Sequence, residues 1–171
     1  MSKAVLISIR PEWCEKIVSG EKTIEVRKTR PKMQTPFKCY IYMTKQKKGE
    51  DGWLAAVCAE NRCYYGAGSV IGEFVCDEVE TYDDDTIHAF THEDYSRWND
   101  FDLDRACMHP EDFEHYASDS WLYGWHISDL VIYDNPKELS EFEGLQKTRF
   151  GYAPYKITRP PQSWCYVEDV Q

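Results

Sequence analysis

A row of chemically capable side chains follows a glycine near the start of the chain. Thr23, Glu25 and Arg27 recur at two-residue intervals directly after Lys22. Since successive side chains of a strand point to opposite faces, these three are expected to line one face. A hydroxyl, a carboxylate and a guanidinium in one row can bind phosphate, recognise a base edge or transfer protons. The alternative is a salt bridge between Glu25 and Arg27 on a solvated face, where such pairs contribute little.

A second group of candidates lies in the last predicted strand. Trp164 and Tyr166 share one face of it, and Cys165 and Val167 share the other. An aromatic pair at the mouth of a cleft can stack a base, at roughly 1–3 kcal/mol per base. Filling the core is an equally good interpretation of the same pair.

His126 and Ser128 form a third group, at the start of another predicted strand. They share a face and could donate hydrogen bonds into the same cleft. A histidine held by a backbone partner in a purely structural role is the alternative.

Metal ligands are sparse. His88 and His92 are four residues apart, a spacing that puts two ligands on one helix face. No third ligand follows at a characteristic distance, and Cys58 and Cys63 do not form a Cys-x-x-Cys pair. We therefore predict no metal site and no cofactor.

The composition predicts an ordinary globular protein. Of 171 residues, 42% are hydrophobic and 29% charged, which argues against wholesale disorder. No apolar run approaches the ~20 residues of a membrane span, and the first apolar run is too short for a signal peptide. Seven scattered cysteines then favour reduced thiols, so we expect a cytoplasmic protein without membrane contact.

The charge is unevenly distributed. Residues 1–48 carry 12 Lys/Arg and 4 Asp/Glu, whereas residues 83–119 carry 2 Lys/Arg and 12 Asp/Glu. The net charge of −10 by itself argues against general affinity for nucleic acid. We interpret residues 83–120 as an acidic insertion into one domain that spans residues 1–171. Its charge is explained either by a solvated face or by a surface for a protein partner, including a nucleic-acid mimic.

Hydrophobic periodicity and turn residues predict the elements that position these side chains. Strands are expected over residues 4–9, 22–28, 38–43, 69–82, 126–133 and 163–167. Helices are expected over residues 11–19 and 135–142, with two more in the insertion, one of them capped by Thr91 with Asp94 and another starting at Pro110. Residues 45–52 and 143–158 are expected to be turns or loops, and residues 53–66 a short helix or irregular loop. This element set predicts an α+β fold with a small, partly closed β-barrel and short peripheral helices.

Two segments resemble a known family. Ser8-Ile9-Arg10-Pro11-Glu12 followed by Gly20-Glu21-Lys22-Thr23-Ile24-Glu25-Val26-Arg27 is similar to the signature of the ASCH family, whose members have a PUA-like barrel. The segments Gly72-Glu73-Phe74 and Pro160–Val167 also resemble it. The resemblance omits residues 83–120.

The resemblance implies a cleft for RNA or for a modified nucleoside or nucleotide. Some small ASCH proteins are similar to amidohydrolases of acylated cytidine, in which a lysine activates a threonine three residues later. Here Lys22 matches the lysine, but Glu25 occupies the threonine position. A carboxylate there could orient water as a base. Other ASCH proteins are ribonucleases, where Lys22 and Ser163 match by position.

We therefore predict a protein that binds RNA or a nucleotide in a barrel cleft. Lys22 and Arg27 would neutralise phosphate, Glu25 would accept hydrogen bonds from base amino groups and Trp164 would stack. Further binding candidates are Arg10, Thr23, His126 and Tyr166. The alternatives are a small amidohydrolase or ribonuclease with Lys22, Glu25 and Ser163 as catalytic residues, and an interaction protein that uses residues 83–120.

Overall fold

The computed structural model describes residues 2–45, 56–59, 62–65, 67–92 and 101–170. The strands in these residues are β1 (Lys3–Ile9), β2 (Ile24–Arg27), β3 (Phe37–Met43), β4 (Ala56–Ala59), β5 (Arg62–Tyr65), β6 (Val70–Cys76), β7 (Val79–Tyr82), β8 (Leu122–His126), β9 (Ser128–Lys137), β10 (Glu143–Thr148), β11 (Gly151–Lys156) and β12 (Trp164–Glu168). The helices are α1 (Pro11–Val18), α2 (Asp84–His92), α3 (Phe101–Ala106), α4 (Pro110–Ala117) and a 3₁₀ helix at Leu139–Glu141. None of these helices is long and apolar enough to cross a bilayer.

Two sheets carry most of the fold. The larger has seven strands in the order β11-β10-β12-β1-β3-β6-β9, and the smaller has three in the order β2-β8-β7. β1 pairs in parallel with β3 and antiparallel with β12. The mixed α+β class is confirmed. The predicted barrel is not, because the described strands of the larger sheet end at two open edges, β11 and β9.

The core lies on both faces of β1, which explains its continuous apolar sequence. Val5, Ile7 and Ile9 belong to the cluster between the two sheets, whereas Ala4 and Leu6 pack on the opposite face. A central strand that is buried on both sides needs apolar residues at every position. Trp125 of β8 fills the space between the sheets, edge-on to Phe37 and Trp164 with ring centroids 5.8 Å apart in each pair.

Several predicted elements have different bounds. The strand predicted over residues 69–82 is two strands, β6 and β7, which belong to different sheets and are separated by the exposed Asp77 and Glu78. The strand predicted over residues 126–133 is likewise the end of β8 and the start of β9. Apolar residues continue to alternate with polar ones across both breaks. Periodicity alone therefore predicts one continuous strand where the structure has two.

The remaining corrections concern two hairpins and the end of β9. Residues 53–66 contain the β4–β5 hairpin, and the predicted loop over residues 143–158 contains the β10–β11 hairpin. The helix predicted from Asn135 is instead the end of β9, followed by the 3₁₀ helix. β9 is an edge strand, where Pro136 is tolerated because the missing N–H need not enter a ladder. The turn predicted over residues 45–52 lies outside the described residues beyond Lys45.

The acidic insertion contains three described helices, one more than predicted. Thr91 is inside α2 and not at its start, where Asp83 accepts a hydrogen bond from the Thr86 amide at 3.0 Å. Asp94 lies outside the described residues. Helix α4 begins at Pro110 as predicted, and its Phe113 and Ala117 are buried. The apolar sides of α2, α3 and α4 pack on Ile24 and Val26 of β2 in one cluster, so the insertion is anchored to the strand that carries the candidate site.

Candidate ligand-binding cavity

The turn between α1 and β2 sets the position of the first candidate residues. Ser19 ends α1, and Gly20 follows with φ +79°, in the left-handed region that favours glycine. The Lys22 amide then donates to the Lys16 carbonyl oxygen at 2.9 Å, which folds the chain back along the helix. β2 consequently starts at Ile24 with Glu25 and Arg27 on one face and the buried Ile24 and Val26 on the other.

Lys22, Glu25 and Arg27 form a buried ionic triad. Glu25 Oε1 lies 2.8 Å from Arg27 Nη2, and Glu25 Oε2 lies 3.4 Å from Lys22 Nζ. The side chains of Lys22, Glu25 and Arg27 are 3%, 7% and 11% exposed. This is not the solvated salt bridge considered as the alternative, since buried charges must be paired and hydrogen-bonded to be tolerated. The triad holds two positive charges against one negative charge.

The lysine is held by the end of an insertion helix. Lys22 Nζ donates to the Ala106 carbonyl oxygen at 2.7 Å. Helix α3 ends with Cys107 at φ 54°, and the Cys107 and Met108 amides donate to the Asp104 and Leu103 carbonyl oxygens. These are the two bonds of a Schellman motif, which leaves the Ala106 carbonyl available for the ammonium. The negative end of a helix favours a cation at this point.

The arginine ties β2 to β1 and to the chain before β12. Arg27 Nη2 also donates to the Ser8 carbonyl oxygen at 2.7 Å, and Nη1 lies 3.4 Å from Ser163 Oγ. Arg27 Nε is buried without a hydrogen-bond partner among the described residues. A buried donor without a partner is costly, so water or a ligand near this nitrogen would be stabilised.

The triad lines a cavity of about 810 Å³, which we call the triad cavity. Its walls come from the end of β1, the start of α1, β2, the two residues after β3, the insertion and residues 160–162. Its charged lining residues are Arg10, Glu12, Lys22, Glu25, Arg27 and Lys45. Four cations and two carboxylates therefore line a cavity in a protein whose net charge is −10.

Most of the residues that line the triad cavity were not predicted as site residues, among them Lys45 and three residues with large side chains. Lys22 Nζ lies 5.2 Å from the centroid of the Trp13 ring, close enough for a cation–π contact. Met108 and Tyr116 come from the insertion. Trp13 lies in the helix predicted over residues 11–19, but no local pattern connects residues 83–120 to a cavity formed about 80 positions earlier in the chain.

A family model for the ASCH domain matches residues 7–160. That range includes the triad, the insertion and most of the cavity lining. The chain belongs to the ASCH domain family. A search of curated proteins finds no match.

Solved structures agree with this assignment at the level of the fold. A crystal structure of the ASCH protein of Zymomonas mobilis is 21% identical, with a TM-score of 0.59 over 96% of this chain and 87% of that chain. A tyrosine-to-phenylalanine variant of that protein is 20% identical, with a TM-score of 0.60 over 98% of this chain and 91% of that chain. The PUA-like ASCH fold of this chain is thus supported by both comparisons.

Two other predicted site residues lie in a separate cluster, outside the lining of the ASCH domain's triad cavity. Thr23 precedes β2, and its Oγ1 accepts a hydrogen bond from Arg105 Nε at 3.0 Å. Arg105 Nη2 is 3.3 Å from His126 Nδ1, and His126 Nε2 is 2.7 Å from Glu80 Oε1. Because arginine only donates, Nδ1 accepts and Nε2–H donates to Glu80. Ser128 Oγ donates to the Val75 carbonyl oxygen at 2.9 Å, away from His126.

The pKa values of two neighbouring carboxyl groups in this cluster, Asp102 and Glu80, are shifted in opposite directions. Burial, together with a hydrogen bond to Glu80 and the Glu80 charge, raises the pKa of Asp102 to about 6. Burial opposes ionisation of Glu80, but hydrogen bonds from Asp102, Tyr82 and His126 outweigh it and lower the pKa of Glu80. Below about pH 6, where Asp102 is protonated, its proton is donated to the Glu80 carboxylate.

The same cluster contains the group of described side chains best spaced for a metal. Glu78, Glu80 and His126 offer ligand atoms within 4.8 Å of one another. Both ring nitrogens of His126 are already engaged, and the Arg105 guanidinium adds a positive charge beside Nδ1. The arrangement suits an ion-pair network better than a divalent cation. His88 is exposed on α2, and the side chain of His92 lies outside the described residues.

The aromatic pair of β12 is partly buried against the core and does not line the triad cavity. Trp164 lies edge-on to Trp125 and Tyr166, and its Nε1 donates to Thr29 Oγ1 at 3.0 Å. Tyr166 accepts a hydrogen bond from the Lys32 amide at 2.7 Å. Ser163 reaches the triad only through its contact with Arg27.

Removing the carboxylate of the triad should destabilise the ASCH fold. We expect Glu25→Gln to lower the free energy of unfolding by about 3 kcal/mol, since two buried cations lose their counter-charge. Glu21→Gln is the matched control, because Glu21 is exposed in the turn before β2. Urea unfolding monitored by tryptophan fluorescence measures both changes. Equal small effects of the two substitutions would contradict the buried triad.

The raised pKa of Asp102 predicts a pH-dependent stability. An acid that binds its proton more tightly when folded stabilises the fold while it is protonated. This contribution is complete below its ordinary value of 3.8 and is lost as pH rises through about 6. Asp102→Asn, which is neutral at every pH, should therefore gain stability relative to the unmodified protein between pH 4 and pH 7. The exposed Asp104→Asn on the same helix should show no such trend in urea unfolding, and parallel curves for all three proteins would refute the assignment.

Proposed function

We propose that this ASCH domain binds one nucleotide unit of RNA, or a modified nucleoside or nucleotide, in the triad cavity. The observation that carries the proposal is a concentration of positive charge, part of it buried, in an otherwise acidic protein. A volume of about 810 Å³ is in the range of pockets that enclose small ligands. Membership of a family with a PUA-like fold, whose domains generally bind RNA, supports the same conclusion.

The cations of the cavity supply the expected phosphate contacts. Lys22 uses two of its three N–H donors on described protein atoms, Ala106 and Glu25, so a third can serve an anion. Arg10 lies at the cavity, 3.7 Å from Glu12 Oε1 in an exposed ion pair, and its 77% exposed side chain can turn to a phosphate at the entrance. Lys45 adds a further charge to the wall. Phosphate contacts of this kind dominate the affinity of proteins for nucleic acids.

Recognition of a base would come from the other lining groups. Glu25 can accept a hydrogen bond from a base amino group if its Lys22 contact opens. Arg27 Nε carries an N–H donor that has no partner among the described residues. For stacking, Trp13 and Tyr116 are better placed than Trp164, since they line the cavity. Stacking of unpaired bases on aromatic rings is the usual mode of single-stranded RNA recognition.

The contacts that Glu25 and Ser163 already make favour ligand binding over hydrolysis. Both carboxylate oxygens of Glu25 are occupied by cations, which leaves the group poorly placed to take a proton from water. The Ser163 hydroxyl lies against the Arg27 guanidinium and not against a base. The amidohydrolase and ribonuclease hypotheses therefore need a rearranged triad.

The acidic insertion contributes Met108, Tyr116 and the Ala106 carbonyl oxygen to the site. These contacts favour a role as a cavity wall over a surface for a protein partner.

Calorimetric titration with the four ribonucleoside 5′-monophosphates and with cytidine and acetylated cytidine tests the proposal. We expect at least one ligand to bind with one site per chain and to stabilise the protein by about 2.7 kcal/mol at 100 times its dissociation constant. Arg10→Gln should weaken binding of the phosphate-bearing ligands. Lys137→Gln, which removes one charge from β9 at the far edge of the large sheet, should not.

Two outcomes would contradict the proposal. One is the absence of binding by every ligand, and the other is equal weakening by the two charge substitutions. Chromatography of the titrated samples completes the experiment. Cytidine formed in the sample that was titrated with acetylated cytidine would establish turnover and replace the binding role by a hydrolytic one.

A further inference from the structure

The chain segment that borders the triad cavity continues into a second positively charged surface. Residues 144–167 contain four Lys/Arg and no Asp/Glu, although the whole protein carries 30 Asp/Glu among 171 residues. The four cations, Lys147, Arg149, Lys156 and Arg159, are all exposed. Like residues 1–48, this run is basic although the net charge of the protein is −10, and it follows one continuous piece of chain from β10 to β12.

Part of this segment encloses a second cavity of about 590 Å³. Lys156 and Arg159 supply its charges, and Tyr155, 37% exposed, supplies an aromatic ring. Two cations beside an exposed ring are the elements with which proteins hold the backbone and the bases of a single strand. No carboxylate lines it in the part of the chain that the structure describes, so no lining side chain repels an anion.

The two cavities meet at one ridge of chain. Pro160, Pro161 and Gln162 line both of them. Two hydrogen bonds from Ser8 of β1 hold this ridge in place. Ser8 Oγ donates to the Pro161 carbonyl oxygen at 2.7 Å, and the Ser8 amide donates to the Ser163 carbonyl oxygen at 2.9 Å. Before the ridge, Ile157 is buried in the core. A ligand that leaves the triad cavity over this ridge therefore arrives among Lys156 and Arg159 without any rearrangement of the backbone.

We propose that the second cavity is a binding site for the neighbouring nucleotides of a single-stranded nucleic acid whose first unit occupies the triad cavity. This inference rests on the proposed function and names its ligand as a strand of several nucleotides instead of a free nucleotide. Lys156 and Arg159 contact successive phosphates, and Tyr155 stacks on a base. A duplex is excluded by the need to place one unit inside the triad cavity, since paired bases cannot enter it.

Oligouridylates of one, two, four and six nucleotides, titrated at several salt concentrations, test the inference. Affinity should rise with length up to about four nucleotides. The slope of log affinity against log salt should steepen by about 0.7 for each phosphate contacted in the second cavity. Arg159→Gln should remove about 0.7 of that slope for the tetranucleotide and leave binding of uridine monophosphate unchanged. Lys137→Gln is the control and should alter neither.

The outcomes separate this inference from the function on which it rests. Binding of uridine monophosphate with no gain from added nucleotides would overturn the second site and leave the triad cavity intact. Length-dependent binding that Arg159→Gln does not affect would also overturn it. An oligoglutamate of equal charge that displaces the tetranucleotide as effectively as unlabelled RNA would assign the surface to acidic polypeptides instead. Failure of every nucleotide to bind would remove the proposed function itself.

Discussion

Three charged side chains that are almost fully buried determine the architecture around the cavity. Lys22, Glu25 and Arg27 lie on one short stretch of chain, and none of them could be buried alone. Their excess positive charge requires oxygen atoms from elsewhere in the fold, which come from the end of α3, from β1 and from the chain before β12. Each of these contacts joins parts of the sequence that are far apart. The triad therefore acts as the point at which the insertion, the large sheet and the small sheet are aligned.

The same constraint connects stability with ligand binding. A buried carboxylate between two cations is stabilising only while the geometry holds, because loss of any partner leaves an uncompensated charge. Rigid neighbours consequently surround the triad, with apolar packing by Ile24 and Val26 behind it and the Schellman end of α3 beside it. A rigid, partly charged wall is suited to ligand binding, since little ordering is required when a ligand arrives.

The sequence predicted the local chemistry of the site better than its surroundings. Alternation after Gly20 identified the facing of Glu25 and Arg27, and the apolar run of β1 identified the central strand, because both signals are carried by neighbouring residues. Thr23 departs from the predicted row because β2 begins at Ile24, two residues later than predicted, and Arg105 binds the Thr23 hydroxyl. His126 pairs with Glu80 for a similar reason, since strand facing does not reveal which distant side chain completes a hydrogen bond. Local sequence patterns also could not predict that the triad is buried, because its burial depends on contacts with α3.

Direct observation of a ligand is the most decisive test of the account. A crystal structure of the protein with a ribonucleoside 5′-monophosphate should show the ligand in the triad cavity, with an oxygen or nitrogen acceptor within about 3 Å of Lys22 Nζ or Arg27 Nε. Its base should lie against Trp13 or Tyr116. Ligand density at another surface, with only water beside an unchanged triad, would contradict the central claim.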